Sequence, residues 1–295
     1  MFVDIHIHTS LWKGCPRFVG DGMTYATPEE IIAAYDEVGI EKGCVLPSVN
    51  PECVSGMQGN CEILALAEKY KGRFIPFCNI DPRNGTNNWR SPLDKMMLYY
   101  KERGCKGIGE VCCNLAVLEP RMQNLFRCAE IAGMPVTFHM APYRGGYGMI
   151  DDPGMPQLEE TLRRFPKLKI FAHSQAFWAE MTPLKSVNDR FGYPAGPVKE
   201  EGRVQELMRK YPNLYGDLSA GSGCNALARD REYAAKFLEE FQDRLFFGTD
   251  VCQPTMPTMR PLANFLKGML ADGAISSAVF NKVARENALR VLECE

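Results

Sequence analysis

The sequence predicts a single α/β domain, a (β/α)8 TIM barrel with extended loops at the carboxyl ends of its strands. Eight short apolar runs alternate with longer amphipathic runs. This alternation indicates parallel strands joined by helices, and eight strands close a barrel. The length of 295 residues suits one such barrel. Since no linker or internal repeat divides the chain, we expect one domain over residues 1–295.

The strand candidates are short and rich in Val, Ile, Phe and Leu, as expected for strands buried on both faces. In chain order they are Phe2–Ile7, Gly43–Pro47, Phe74–Asn79, Gly107–Val111, Val136–His139, Lys169–His173, Leu214–Leu218 and Leu245–Gly248.

The segments between these strands carry helical patterns, several with Pro in the first turn and many with Gly after the last turn. The predicted helices are Pro28–Val38, Cys61–Tyr70, Pro92–Arg103, Pro120–Ala132, Gln157–Arg164, Arg203–Lys210 and Tyr233–Phe241. The segment from Arg260 to Leu292 is expected to add one or two helices outside the barrel.

Two loops are longer than a barrel needs, one from Thr9 to Thr27 and one from Ser174 to about Lys199. Both follow the carboxyl ends of strands, the face on which barrel enzymes keep their chemistry. The loop from Tyr143 to Gly148 is rich in glycine and aromatic residues. We expect it to be a mobile cover or a surface that contacts the substrate.

Composition and charge exclude several classes of protein. The net charge of −2, with acids and bases mixed, lacks the basic surface of a nucleic-acid-binding protein. No apolar run is long enough to span a bilayer, and the first residues lack the features of a signal peptide. We therefore expect a cytoplasmic protein whose 12 cysteines are reduced and mostly buried, Cys112 and Cys113 included.

All four histidines fall at the predicted carboxyl ends of strands. His6 and His8 end the first strand, where the strand period of two places them on one face with Asp4. His139 and His173 end the fifth and sixth strands. Because these strand ends share one rim and imidazole is the commonest metal ligand, the sequence predicts a metal site there.

Two carboxylates complete the predicted site. Asp250 follows the eighth strand, and Glu110 ends the fourth. Asp250 could instead cap a helix, and Glu110 could be a solvated loop acid or a salt-bridge partner. Their position on the rim that holds the histidines favours metal ligation for both.

These residues resemble the motif of the amidohydrolase superfamily of metal-dependent barrels, and most closely its amidohydrolase-2, or amidohydrolase-related, branch. The stretches that carry the resemblance are Asp4–His8, Pro166–His173, Tyr211–Ala220 and Leu245–Asp250. The resemblance implies a (β/α)8 barrel and hydrolysis of a small-molecule amide, ester, lactone or phosphoester. Some members instead decarboxylate or hydrate small unsaturated carboxylic acids.

The resemblance implies two versions of the site. In the first, as in TatD-type hydrolases, Glu110 bridges two ions, and the remaining ligands are His6, His8 and Asp250 for one ion and His139 and His173 for the other. A water shared by the ions would lose a proton near neutral pH. Asp250 would accept that proton and return it to the leaving group.

In the second version, as in the aminocarboxymuconate-semialdehyde decarboxylase group, one ion is held by His6, His8, His139 and Asp250. His173 is then the general acid or base, and Glu110 does not bind the ion. Members of that group lack an acid at this place, so Glu110 favours hydrolysis. Glu110 also occupies the place of the strand-four lysine that is carbamylated in other branches.

Two further interpretations compete with these. PHP-type phosphoesterases also begin with Asp-x-His-x-His-Thr, but they need more than four histidines and a closing Asp-x-His, whereas Val251 and Cys252 follow Asp250. A barrel that binds a metal or ligand without turnover would have a closed coordination shell. Catalysis is favoured because the histidines and acids share a rim that loops cover.

The loops after the fifth and sixth strands supply candidate substrate contacts, with loop packing as the alternative for each. Tyr143, Arg144 and Tyr147 follow His139, and arginine can bind a carboxylate or phosphate through two hydrogen bonds. Phe177 and Trp178 follow His173 and could wall an apolar or ring-shaped substrate.

The expected cofactor is one or two divalent metal ions per chain. Zinc suits a histidine-rich site, with manganese and iron as alternatives. The expected partner is a small-molecule substrate, with no nucleic acid or membrane, and homodimerisation is the default for such barrels.

Overall fold

The structure of the protein is a computed structural model that describes residues 1–15, 23–53, 56 and 58–294. The predicted loop from Thr9 to Thr27 therefore lies partly outside the described residues. The strands are β1 (Phe2–Ile7), β2 (Ile40–Val45), β3 (Phe74–Pro76), β4 (Ile108–Val111), β5 (Val136–Ala141), β6 (Met149–Ile150), β7 (Ile170–His173), β8 (Leu214–Asp217) and β9 (Leu245–Phe246).

Eight of these strands form a closed parallel barrel, and the short β6 pairs only with β5. The strands make two sheets, β1-β2-β3 and β4-β5-β7-β8-β9. Isolated bridges join the sheets at two seams: Cys78 pairs with Ile108 between β3 and β4, and Ile7 pairs with Val251 beyond β9. The predicted (β/α)8 barrel is confirmed.

The helices surround the barrel, and none in the described residues is long and apolar enough to cross a membrane. They are α1 (Pro28–Val38), α2 (Asn60–Lys69), α3 (Leu93–Lys101), α4 (Pro120–Ala132), α5 (Pro156–Arg164), α6 (Gln175–Ala179), α7 (Arg203–Lys210), α8 (Ala220–Ala228), α9 (Arg231–Glu240), α10 (Pro261–Ala271), α11 (Ser277–Asn281) and α12 (Asn287–Leu292), with a 3-10 helix at Val187–Phe191 and a π-helix at Lys282–Glu286.

Helix α1 begins and ends where its capping residues predict. The Thr27 side chain accepts a hydrogen bond from the Glu30 backbone N–H, and the Glu30 carboxylate accepts one from the Thr27 N–H. This capping box satisfies donors that the first helical turn leaves free. Gly39 ends the helix in the left-handed region at φ 86°, which glycine adopts without steric cost.

The segment after β7 differs from the prediction. The expected loop from Ser174 to Lys199 contains α6 and the 3-10 helix. Helix α8, after β8, is likewise absent from the predicted set, because Gly221 and Gly223 in its first turns are unfavourable in a helix. Packing explains Gly221, since a Cβ there would lie 2.9 Å from the Tyr193 hydroxyl oxygen.

Two clusters of buried apolar side chains stabilise the barrel. The larger cluster lies between the strands and the surrounding helices. The smaller one combines strand residues such as Ile5, Phe171 and Phe246 with Val291 and Leu292 of α12. Helix α12 contacts both β1 and β9, so the last helix helps to hold the β9–β1 seam.

Candidate metal centre

Strand β1 brings its two histidines into contact. His6 Nε2 lies 3.1 Å from His8 Nε2. The other ring nitrogens face acceptors: His6 Nδ1 lies 2.7 Å from Asp217 Oδ2, and His8 Nδ1 lies 2.8 Å from the Leu46 carbonyl oxygen. In the neutral rings these acceptors hold the protons on Nδ1 and leave both Nε2 atoms with lone pairs. Two lone pairs so close repel each other unless a proton or a metal ion lies between them, so this donor set is suited to binding a metal ion in place of a proton.

Two carboxylates approach the same pair of nitrogens. Glu110 Oε2 lies 3.8 Å from His6 Nε2 and 3.6 Å from His8 Nε2. Asp250 Oδ1 lies 3.7 Å and 3.6 Å from the same two atoms. Ligands about 2.1 Å from a tetrahedral ion stand roughly 3.4 Å apart. Each of the two carboxylate oxygens therefore stands at a ligand-like separation from both histidine nitrogens.

His173 packs against the His6 ring at a centroid distance of 4.6 Å and approaches both carboxylates. Its Nε2 is 3.8 Å from Glu110 Oε1 and 3.7 Å from Asp250 Oδ2. Each carboxylate thus faces the β1 histidines with one oxygen and His173 with the other. Two groups in the described residues could each hold an ion, one of His6, Glu110 and His173 and the other of His6, His8 and Asp250.

His139 reaches the centre through Glu110. Its Nδ1 lies 2.8 Å from Glu110 Oε1, and its ring packs edge-on against Tyr147 at a centroid distance of 4.9 Å. It belongs to neither of the two groups that could hold an ion. The structure therefore brings all six predicted site residues together and places His139 at the edge of the set.

Asp217, at the end of β8, belongs to the centre although we did not predict it. It is fully buried, and its Oδ2 also lies 3.6 Å from His173 Nδ1. Its Oδ1 accepts a hydrogen bond from the Ser219 N–H, and Ser219 Oγ lies 3.0 Å from His173 Nδ1. Asp217 and Ser219 thus orient His6 and His173. The signal in the sequence was a charged residue inside an otherwise apolar strand.

Asp4 corrects the predicted pattern of β1. Its carboxylate does not join His6 and His8; it accepts hydrogen bonds from the Tyr35 hydroxyl of α1 and from both the N–H and the hydroxyl of Thr249. The pairing of β1 with β2 shifts register between Asp4 and Ile7. This irregularity interrupts the period of two on which the prediction rested.

Electrostatics in the centre favour a positive charge at His6. Burial opposes the charged imidazole, but Asp217, Asp250 and Glu110 together raise the pKa of His6 to about 10. Burial also opposes ionisation of Glu110, yet His139 and its other histidine neighbours hold the pKa of Glu110 well below its usual range. Three carboxylates around one buried point suit a divalent cation equally well.

The candidate substrate contacts divide into two sets. Tyr143, Arg144 and Tyr147 are exposed near the mouth of the barrel, and Tyr143 stacks on Phe191 of the 3-10 helix at a centroid distance of 5.0 Å. Trp178 is only 2% exposed and donates its indole N–H to the Asp217 carbonyl oxygen, and Phe177 is fully buried. Trp178 and Phe177 therefore lie in the core, whereas the sequence predicted that they line a substrate pocket.

The cysteines match their predicted role in packing. Those in the described residues are free thiols, and Cys112 and Cys113 are both buried.

Comparison with known proteins gives the family and the fold. The amidohydrolase family model, of the amidohydrolase-2 branch, matches residues 3–293. Among curated proteins, none matches the chain. An uncharacterized TIM-barrel protein from Bordetella bronchiseptica matches with a TM-score of 0.64 at 17% identity, over 99% of this chain and 98% of that chain.

Two other similar structures carry the names of enzymes. A probable 2-pyrone-4,6-dicarboxylic acid hydrolase from Acinetobacter baumannii, with citric acid bound, has a TM-score of 0.59 at 14% identity over 99% of both chains. A dihydroxybenzoic acid decarboxylase from a Polaromonas species, with bound manganese and the inhibitor 2-nitroresorcinol, has a TM-score of 0.61 at 15% identity over 99% of this chain and 96% of that chain. At such identities these likenesses show the barrel fold alone. Because the family model spans nearly the whole sequence, the chain belongs to the amidohydrolase family, in its amidohydrolase-2 branch.

Proposed function

We propose that the protein is a metal-dependent hydrolase of a small-molecule amide, ester, lactone or phosphoester. The observation that carries this proposal is the position of Glu110. Its carboxylate is 4% exposed and faces His6 and His8 with one oxygen and His139 and His173 with the other. A buried acid that contacts every histidine of the chain has the placement of a bridging ligand, which the hydrolytic version of the site requires.

In this proposal the residues of the centre hold two metal ions. His6, His8, Glu110 and Asp250 would hold a first ion, and His173, with Glu110 and His139, a second. When bound, such an ion lowers the pKa of water and polarises an acyl or phosphoryl oxygen. Zinc is the proposed metal because the donor set mixes imidazole nitrogen with carboxylate oxygen.

Asp250 is the proposed proton carrier. Its side chain is 25% exposed, far more than those of the other acids of the centre, so it can reach both the buried ligands and a substrate in the mouth. Its Oδ2 faces His173 at 3.7 Å. In the proposed reaction, Asp250 takes a proton from the attacking water and gives it to the leaving group.

A decarboxylase is the second candidate, and the position of His173 favours it. His173 is buried beside the group formed by His6, His8 and Asp250 but lies outside it. Burial also lowers the pKa of His173, which keeps the ring neutral and able to accept a proton. In this alternative His173 is the acid–base catalyst, one ion suffices, and the substrate is a small unsaturated carboxylic acid.

Metal content and substrate panels separate the two candidates. We expect close to two ions per chain in protein purified without chelators, and close to one in the Glu110→Gln variant. Glu68→Gln, which changes an exposed glutamate of α2, serves as the matched control and should retain both ions. We expect hydrolysis of lactones or esters that Glu110→Gln abolishes. The hydrolase proposal would be wrong, and the decarboxylase would take its place, if the protein bound one ion per chain, hydrolysed none of these substrates and released carbon dioxide from hydroxybenzoates.

A further inference from the structure

A cavity of about 650 Å³ lies beside the segment that joins α6 to α7, apart from the metal centre. Ala179, Arg229 and residues between 182 and 200 line it, and among the described residues that form the lining none belongs to the metal centre. Its volume is within the range of roughly 300–1,000 Å³ that is typical of small-molecule sites. The proposed hydrolase chemistry makes no use of it.

Arg229, just after α8, is one of the residues that line this cavity. Its Nη2 reaches the Thr182 hydroxyl at a long 3.4 Å. Its Nε is shielded from solvent and has no hydrogen-bond partner in the part of the chain that the structure describes. A shielded N–H group without an acceptor costs free energy. Arg229 is only partly buried and its Nη2 forms a single long hydrogen bond, so the Nη atoms have donors left for a ligand in the cavity.

The charges around the cavity favour an anion. Lys185 and Lys199 are exposed at its edge, and neither forms an ion pair within the described ranges. Of the two acids in the lining, Asp189 already accepts hydrogen bonds from the Lys185 and Ser186 N–H groups. Basic side chains in the lining thus outnumber acidic ones by three to two, and Asp230, next to Arg229, accepts hydrogen bonds from the Val198 and Tyr233 N–H groups.

The remaining lining favours a ligand with an apolar body. Pro183, Leu184, Pro194 and Pro197 contribute apolar walls. Tyr193 forms another wall, and its hydroxyl packs on Gly221 of α8, which has no side chain to obstruct it. A fully hydrated ion such as phosphate would leave these surfaces unused.

We propose that this cavity is a second binding site, for a small organic monocarboxylate. Its carboxylate pairs with Arg229, which can donate two parallel hydrogen bonds, and its apolar body packs against Leu184 and Pro194. None of the described residues that line it belongs to the metal centre, and the proposal does not depend on the reaction performed there.

Isothermal titration of the metal-loaded protein with benzoate tests the proposal. We expect saturable binding that the Arg229→Gln variant weakens about tenfold or more, because a charge-assisted pair is lost. Arg163→Gln, which changes an exposed arginine of α5, is the matched control and should bind benzoate as the unaltered protein does. Benzamide, the neutral analogue, and inorganic phosphate should both bind more weakly than benzoate.

Two further variants decide the outcomes that remain. His8→Asn disrupts the metal centre and should leave benzoate binding at Arg229 intact. If His8→Asn abolishes binding while Arg229→Gln does not, the carboxylate binds the metal and the second site is refuted. If Arg229→Gln fails to fold, Lys199→Gln replaces it, since this lysine is exposed. An unchanged affinity in Lys199→Gln, or equal affinity for phosphate or benzamide, would also refute the proposal.

Discussion

Replacement of Asp217 by Asn tests whether the buried carboxylate behind His6 supports metal binding. Asn keeps the shape and one oxygen acceptor for His6 Nδ1, so the ring can hold its orientation while the negative charge is removed. Asp217 Oδ2 lies 2.7 Å from His6 Nδ1, and both side chains are fully buried. Losing such an outer partner lowers metal affinity about 10- to 100-fold, or about 1.4–2.7 kcal/mol.

The assay is a competition between the protein and a chelating dye for zinc or manganese at fixed pH. Asp243→Asn is the control, because its carboxylate is 65% exposed and pairs with Lys282 on the surface. We expect Asp243→Asn to bind metal as tightly as the unaltered protein. An affinity of Asp217→Asn within twofold of the unaltered protein would refute the supporting role of Asp217.

A structural effect of the same substitution has its own signature. Asp217 Oδ1 also accepts a hydrogen bond from the Ser219 N–H, so the metal-free variant could lose stability as well. Urea unfolding of the metal-free proteins measures this loss directly. A weaker affinity for metal at equal metal-free stability assigns the effect to the centre.

Three further predictions concern the mouth of the barrel, pH and the core. In Gly148→Ala the new Cβ would lie 2.8 Å from His139 Cδ2, so we expect metal content to fall, whereas Gly145→Ala, which also has positive φ but no atom within 4 Å, should retain the metal. Burial raises the pKa of Asp151 from 3.8 to about 6, so the folded state binds this proton more tightly than the unfolded state does. The resulting contribution to the free energy of unfolding is complete below about pH 4 and is lost as the pH rises through 6. Urea titrations should therefore show Asp151→Asn gaining up to about 3 kcal/mol relative to the unaltered protein between pH 4 and pH 7, and an unchanged difference would contradict the shift. Phe246→Ala removes a fully buried ring that packs against Phe171 and Tyr215. It should lower the free energy of unfolding, measured in urea, by about 3–5 kcal/mol. A loss below about 1 kcal/mol would mean that the barrel interior repacks.

The sequence predicts elements well where local chemistry marks their ends. Helix α1 has the bounds that Thr27, Pro28 and Gly39 predict, and α4, between Glu119 and Gly133, also has its predicted bounds. Helix α8 was not predicted because Gly221, which is unfavourable in a helix, is required by a tertiary contact with Tyr193. Propensity within the chain carries no information about that contact.

In the candidate site, too, some residues could be predicted from the sequence, whereas the roles of others depend on tertiary contacts. His6, His8 and Glu110 could be predicted because the carboxyl ends of barrel strands meet at one rim. Asp217 could not be assigned, since its role depends on the 2.7 Å contact with His6, from which it is separated by 211 positions in the sequence. The orientation of Asp4 depends on a register shift that periodicity alone does not reveal.

The two seams of the barrel have a consequence for its mechanics. Strands β1 to β3 form one half and strands β4 to β9 the other, and isolated bridges join them. His6 and His8 belong to the first half, whereas Glu110, His173 and Asp250 belong to the second. An ion shared by these residues would cross-link the two halves at the β9–β1 seam. Its binding free energy would oppose separation of the two halves. Loss of the ion would remove this cross-link and leave the seam to its backbone hydrogen bonds, among them those from the Asp250 N–H to the His6 carbonyl and from the His8 N–H to the Val251 carbonyl.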